Sequence, residues 1–522
     1  MTTATTAVGA LSALDKSKPY AELCALLRDA AVWKSVNATL SWDQETLMPP
    51  RAAPLRADQL QSLSGLVHEK FTNPRILELV NKAEADTALA DDDTAKANLR
   101  EIRRDYEKHV KLPKSLVEEL ARCASLGMHA WKEAREKSDF SIFRPWLEKT
   151  IELSRKKAEC FGIPAGGELY DALFDEYEPK MTAARTAEIF KPLREFTVNL
   201  IDRVRGATDN FTKAPDTGNA HRDTPIDQQK LFSKRILEQM GFDFMAGRLD
   251  VSTHPFCESP GPGDTRLTNR YRPDGWLDSV SSAMHEGGHG LYEQGLPPEW
   301  FGTPLGDAIS LGIHESQSRM WENFVGRSRP FWGWAFGLAK DVFGENVMHA
   351  LDADKAYKAA NLVAPSFIRV EADEVTYNLH IMLRFDLERA MVAGDLAPKD
   401  LPGVWNKRMK SDFGLDVPND AKGCLQDIHW SMGAVGYFST YTLGNLYAAQ
   451  FWEAMAKDIP NRGGMMGKGE FMPILDWLRE KIHRHGRHFS AEDLCKRITG
   501  APLQSDALMR HLDAKVKAVY NV

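Results

Sequence analysis

The chain has 522 residues, 43% of them hydrophobic and 27% charged, with 66 Lys+Arg against 73 Asp+Glu for a formal net charge of −7. This is the composition of a soluble, well-packed protein, and its acidic balance argues against nucleic acid as a partner, because phosphate neutralisation needs a concentrated basic face. A chain of this size buries an ample core unaided, so a metal site in it is expected to serve chemistry and not the fold.

Residues 1–14 are Thr/Ala-rich, lack a basic start and run into Asp15, which reads as neither a signal nor a transit peptide. No stretch approaches the ~20 apolar residues that span a bilayer; the expectation is a cytoplasmic protein with no membrane partner. Leu23, Leu26, Leu27, Ala30 and Trp33 recur at helical spacing, with Pro19 where a first turn tolerates it. Ser115 and Glu118 form a capping-box pattern that opens another helix. Amphipathic runs predict further helices over 140–162, 182–205, 227–240, 373–393, 468–485 and 503–518. Residues 208–225 read as an exposed loop, and no repeat of ~20–50 residues is present.

The helical habit breaks once. Residues 248–252 and 265–269 lean towards β structure around a Gly/Pro loop at 259–263, which predicts a small antiparallel sheet. The six cysteines are scattered without a CxxC pair, so reduced, buried thiols are expected. The basic run Arg155, Lys156, Lys157 and the histidine tract at 483–488 both read as solvated helix surface.

The most informative stretch follows the sheet. His285 and His289 are four residues apart and share a helix face, so both imidazoles reach one ion. Glu286, about 100° round the helix, is placed to take a proton from water activated by that ion. Gly287, Gly288 and Gly290 each weaken a helix by about 1 kcal/mol relative to Ala, which signals that something approaches this backbone closely. A third ligand is needed. Glu315 is favoured because His₂Glu is a common hydrolytic set, with His314 the competing ligand. Arg319 stands four residues after Glu315, and no carboxylate that would orient a ligand histidine is identified.

Six ordered motifs then make the chain resemble the carboxypeptidase Taq family of metallocarboxypeptidases over nearly its whole length. They are His254-Pro255-Phe256; Asp264, Arg266 and Thr268; His285-Glu286 with His289; His314-Glu315-Ser316-Gln317; Ile368-Arg369 with Ala372-Asp373; and Gly423, Gln426-Asp427 and His429-Trp430. Trp42-Asp43-Gln44-Glu45-Thr46 and Gly436-Tyr437 with Tyr441 also fit. The resemblance implies a mainly α fold with a deep groove, related to neurolysin-type oligopeptidases, and a single catalytic domain over 1–522. An N-terminal helical part, about 1–205, would flank the groove, and the catalytic motifs would span 254–441. It further implies one catalytic divalent ion, most simply Zn²⁺ with Co²⁺ or Mn²⁺ as alternatives, a homodimer, and release of C-terminal residues from peptides with a free C-terminus.

By the same resemblance His285, His289 and Glu315 are the ligands, Glu286 the general base, and Arg369 the clamp on the substrate's α-carboxylate. His429 and Tyr441, with Tyr437 ranked behind, match donors to the tetrahedral intermediate, a role worth about 3–4 kcal/mol per hydrogen bond. Asp264 and Arg266 are candidates for the substrate-binding edge or for a plain salt bridge, and His254 reads as a loop anchor. The alternatives are an oligopeptidase with the same zinc chemistry, which would also cut amidated peptides, and a non-catalytic helical protein that holds a metal structurally.

Overall fold

The computed structural model describes residues 14–218 and 220–522. The N-terminal segment read above, apart from Leu14, lies outside the described residues. The protein is mainly helical, 69% by residue, and the chain divides into two compact units. Unit 1 comprises Met1–Val110, Gly218–Tyr357 and Ala454–Gly500; unit 2 comprises Lys111–Thr217, Lys358–Glu453 and Ala501–Val522.

Unit 1 opens with helix α1 (Lys18–Thr46). Ser17 caps it by accepting from the Tyr20 N–H, and proline sits in its first turn as the sequence predicts. Leu23 and Leu27 are buried on one face of α1, packed in a cluster with Ile76, Leu79, Val80, Leu99 and Ile102. Each such side chain contributes roughly 1.5–3 kcal/mol of transfer free energy. Trp33, expected on that face, is 37% exposed instead and lies under the Lys70 ammonium.

The β segment forms three strands, β1 (Gly247–Val251), β2 (Cys257–Gly261) and β3 (Asp264–Asn269), in the order β1-β3-β2. The sheet is mixed, not antiparallel: β1 runs parallel to β3, and only β2 pairs with β3 in the antiparallel sense. The reason is that residues 252–263 form a connection of the dozen residues that a parallel pair requires, and part of it returns as β2. The predicted Gly/Pro loop is therefore half strand. Pro260 is tolerated because β2 is an edge strand, and the register shift between Glu258 and Gly261 absorbs the irregularity. The sheet feeds α2 (Trp276–Glu293); after a turn-rich stretch come α3 (Leu311–Arg319) and a π-helical segment, Met320–Gly326.

In unit 2 the predicted runs appear as Phe140–Phe161, Ala183–Ala207 and Asp506–Tyr520. The helix Lys114–Lys137 starts one residue before the predicted cap. Ser115 is inside it, and Pro113 takes the N-cap position without a side-chain bond. The run from 373 begins late, as α4 (Tyr377–Ala393), because the Asp373 carboxylate accepts from the backbone N–H groups of Val375 and Thr376 and holds them out of the helix. Helix α5 (Ser439–Asp458) begins two residues before Tyr441.

Candidate metal centre and active site

Three local choices build the centre in unit 1. The Trp276 indole N–H at the start of α2 donates to the Ala220 carbonyl, and the Asn269 amide at the end of β3 donates to the Ser279 carbonyl, so strand and helix are tied together. Ser310 caps α3 by accepting from the Ile313 N–H. Between α2 and α3 stands Gly288: a Cβ there would lie 2.6 Å from the Gln317 carbonyl oxygen and the Ser318 Cα. Gly287 and Gly290 face the side-chain tips of Leu237, Leu267 and Phe242. The glycines of the motif thus let α2 approach its neighbours, and one of those neighbours carries Glu315.

The result is convergence. Oε2 of Glu315 lies 3.7 Å from Nε2 of His285 and 3.4 Å from Nε2 of His289. One donor atom from each of these three residues falls within 4.8 Å of the other two. Two imidazole nitrogens and a carboxylate oxygen fit a divalent cation with a position left over for water. Burial drives His289 down to about 3. It also disfavours the charge on Glu315, but the Arg319 guanidinium and the His285 ring outweigh it and hold Glu315 ionised well below the usual range. Burial pushes Glu286 up to about 7. No side chain among the described residues hydrogen-bonds the Glu286 carboxylate, so its oxygens are free to take a proton.

His285 is held from behind. Glu322 Oε2 is 2.9 Å from Nδ1 of His285. Glu322 in turn accepts from the Ser281 hydroxyl, from Nη1 of Arg319 at 3.0 Å and from Nη2 of Arg327 at 3.2 Å. Sequence reading missed Glu322, because it lies seven residues after Glu315, in the π-helical segment; such segments are rare and recur at functional sites. Arg319 is not a substitute for the missing acid. It donates from Nε to Glu315 Oε1 at 2.6 Å and joins the two carboxylates.

Unit 2 assembles a second cluster. Arg369 is buried in a short 3₁₀ turn, its backbone N–H donating to Oε1 of Gln426. Its Nε donates to Asp427 Oδ1 at 2.9 Å and its Nη1 to the Tyr377 hydroxyl at 3.1 Å. Arg384, fully buried, donates from Nε to Oδ2 of the same Asp427 at 2.6 Å. Burial opposes every charge here, yet the two guanidiniums hold Asp427 well below the carboxylate range. The sequence offers Glu371 and Asp373 as ion-pair partners for Arg369, but the partner in the structure is Asp427. His429 Nε2 lies 3.2 Å from the Tyr441 hydroxyl, and the rings of Tyr437 and Phe438 pack on the imidazole. Burial, aided by Arg369, lowers His429 to about 3, so the ring is neutral. The Arg369 guanidinium carbon stands 5.1 Å from the centroid of the Tyr441 ring.

A family model for the carboxypeptidase Taq (M32) metallopeptidases matches residues 22–516. The chain belongs to that family. Thermostable carboxypeptidase 1 of Thermus thermophilus is 42% identical over 510 residues, covering 96% of this chain and 99% of the relative. Carboxypeptidase 1 of Bacillus subtilis is 35% identical, with 95% and 97% covered. The crystal structure of an M32 carboxypeptidase from Deinococcus radiodurans superimposes with a TM-score of 0.93 at 37% identity, covering 97% of this chain and 100% of that one. This M32 protein is accordingly a metallocarboxypeptidase, a peptide hydrolase whose family implies a divalent metal. Among its described residues no helix is long and apolar enough to cross a membrane.

Other residues singled out from the M32 sequence fall elsewhere. Asp264 and Arg266 are both on β3 and pair with each other through two bonds of 2.7 and 2.8 Å. Arg266 and Arg248 both lie against the ring of Trp42, which brings the early Trp42 motif of α1 to the sheet. His254 is exposed in the bend between β1 and β2. The histidine tract is not a solvated helix end. His483 is fully buried with Nε2 2.9 Å from Gln317 Oε1, and Gly486 turns at φ +48 against the Leu305 carbonyl. All six cysteines are free; Cys123, Cys424 and Cys495 are buried and the other three partly so.

Proposed function

We propose that this carboxypeptidase holds a Zn²⁺ ion on His285, His289 and Glu315 and releases C-terminal residues from peptides that end in a free carboxylate. The observation that carries the proposal is the convergence of those three donors beside an unpartnered, buried Glu286. The bound ion supplies a Lewis acid that polarises a carbonyl and lowers the pKa of water. Glu286 takes the proton of the attacking water on a carboxylate oxygen and passes it to the departing amine nitrogen; a base whose pKa sits near the working pH does both well. His429 and Tyr441, with Tyr437 packed on them, donate to the carbonyl oxygen as it becomes negative.

Arg369 binds the terminal carboxylate. Asp427 occupies its Nε and the Tyr377 hydroxyl takes one proton of Nη1, which leaves Nη2 and the second Nη1 proton for a carboxylate. Asp264 and Arg266, on the central strand β3, support the sheet, and an extended peptide adds a strand at one of its outer edges. One catalytic domain over 1–522, a homodimer and a cytoplasmic location complete the reading, with Co²⁺ and Mn²⁺ as alternative ions.

Product ladders from a mixed peptide pool, with and without chelator and with free or amidated C-termini, test this reading. Stepwise loss from free C-termini, abolished by chelator and restored by Zn²⁺, is expected. Internal cleavage of amidated peptides at equal rates would favour an oligopeptidase instead.

A further inference from the structure

His289 reaches the centre through Nε2, so in the neutral imidazole its proton sits on Nδ1. That Nδ1 lies 2.5 Å from Nδ1 of His314, and Nε2 of His314 lies 2.8 Å from Oε1 of Glu293. Two ring nitrogens in contact need one donor and one acceptor. The direction is then forced: His289 Nδ1–H donates to His314 Nδ1, and His314 Nε2–H donates to the Glu293 carboxylate. Both nitrogens of His314 are thereby used, and neither is left for an ion.

The placement of the three residues is economical. Glu293 is four residues beyond His289 on α2, so it shares that helix face. His314 immediately precedes Glu315 on α3. The two helices that carry the ligands are thus joined by a hydrogen-bonded chain that ends on a partly exposed carboxylate. His285 is served differently, by direct contact with Glu322.

We propose that His314 and Glu293 are positioning residues of the metal centre: a relay from His289 through His314 to Glu293 that fixes the tautomer and ring angle presenting Nε2 to the ion. The inference rests on His289 being a ligand. Outer partners of this kind change metal affinity by about 10–100-fold when removed.

The test is competition for Zn²⁺ between purified holoenzyme and a chelator. His314→Leu removes the acceptor and should weaken retention by about 10–100-fold. His314→Asn puts an amide oxygen near the place of Nδ1 and should recover most of that loss. Glu293→Gln should cost a smaller factor in the parent and nothing further in the His314→Leu background, because Glu293 acts through His314. Thermal unfolding of the chelator-stripped proteins should be unchanged, which separates positioning from general support. Should His314→Leu not fold, Glu293→Gln, at a partly exposed site, carries the test alone. Retention within twofold of the parent for His314→Leu, or no advantage of Asn over Leu, overturns the relay. His289→Ala retaining Zn²⁺ would instead remove the ligand assignment beneath it.

Discussion

The metal centre of unit 1 and the Arg369 cluster of unit 2 are both buried networks of charge, but with opposite signs in excess. Around His285 and His289 stand four carboxylates, Glu286, Glu293, Glu315 and Glu322, against the guanidiniums of Arg319 and Arg327. In the second cluster two guanidiniums, Arg369 and Arg384, share the single carboxylate of Asp427. A buried charge without its counter-charge is costly. A cation would offset the excess of the first region and an anion that of the second, which is the charge pattern expected under the proposed function of a metal-dependent enzyme acting at a peptide's C-terminus.

The sharpest way to break this comparison is to remove the proton acceptor while sparing the cation. Glu286→Gln should keep both metal and fold, since among the described residues no side chain hydrogen-bonds the carboxylate. Its kcat should fall by at least the ~10²–10⁴ of general acid–base catalysis. Metal analysis and steady-state kinetics on one sample decide it: activity within tenfold of the parent would take Glu286 out of the mechanism.

The anion side breaks through Arg369→Ala. Truncating one partner of a buried charge pair costs about 2–5 kcal/mol, so kcat/KM on free-acid peptides should drop roughly 30- to several thousand-fold. On the same peptides bearing a C-terminal amide the substitution should add little, because the partner charge is already gone. Arg369→Lys should rescue only in part, lacking the planar fork. Equal losses on both substrates would mark a folding defect and not a clamp.

The two regions also differ in how legible they were in the sequence. The shared face of His285 and His289, with Glu286 beside it, follows from helical spacing, which is local, whereas Glu315 on the next helix was reached only through the commonness of His₂Glu sets. Even the glycines announced a close approach before Gln317 and Ser318 were known to make it. Neither the Arg369–Asp427 pair nor the Arg384–Asp427 pair was legible, since 58 and 43 residues separate their members and spacing says nothing at that range. Glu322 escaped because a π-helical segment changes which residues share a face. The strand direction of β1 was missed for a similar reason: alternation reveals a strand but not its partner, and pairing with β3 is set across a connection that itself contains β2.

A smaller effect would show how far the centre depends on backbone approach. Gly288→Ala puts a methyl against the backbone of α3, which cannot swing aside as a side chain does. Overpacking of this kind costs about 1–3 kcal/mol, against about 1 kcal/mol gained in helix propensity. Gly287→Ala meets mainly the flexible tip of Leu237 and serves as the control. Zn²⁺ retention should fall in the first variant and stay near the parent in the second. Equal retention in both would mean that the spacing of α2 and α3 is not what sets the centre.

The smallest effect is expected outside both regions, at Arg266. Its guanidinium is held by Asp264 through two bonds and rests 4.5 Å from the centroid of the Trp42 ring, with Arg248 at 4.8 Å from the same centroid. The side chain of Asp264 is 42% exposed, so the ion pair contributes little after solvent screening. The contact with the indole contributes about 0.5–2 kcal/mol according to how dry it is. Arg266→Lys retains the charge but loses the fork and the flat face, so it should cost about 1 kcal/mol of stability, seen as a small drop in melting temperature. If Arg266 only ties Trp42 of α1 to the sheet, kcat/KM should stay within twofold for short and long peptides alike. A loss confined to longer peptides, with melting unchanged, would place Arg266 in the binding edge and give the enzyme a third region whose charge meets the substrate directly.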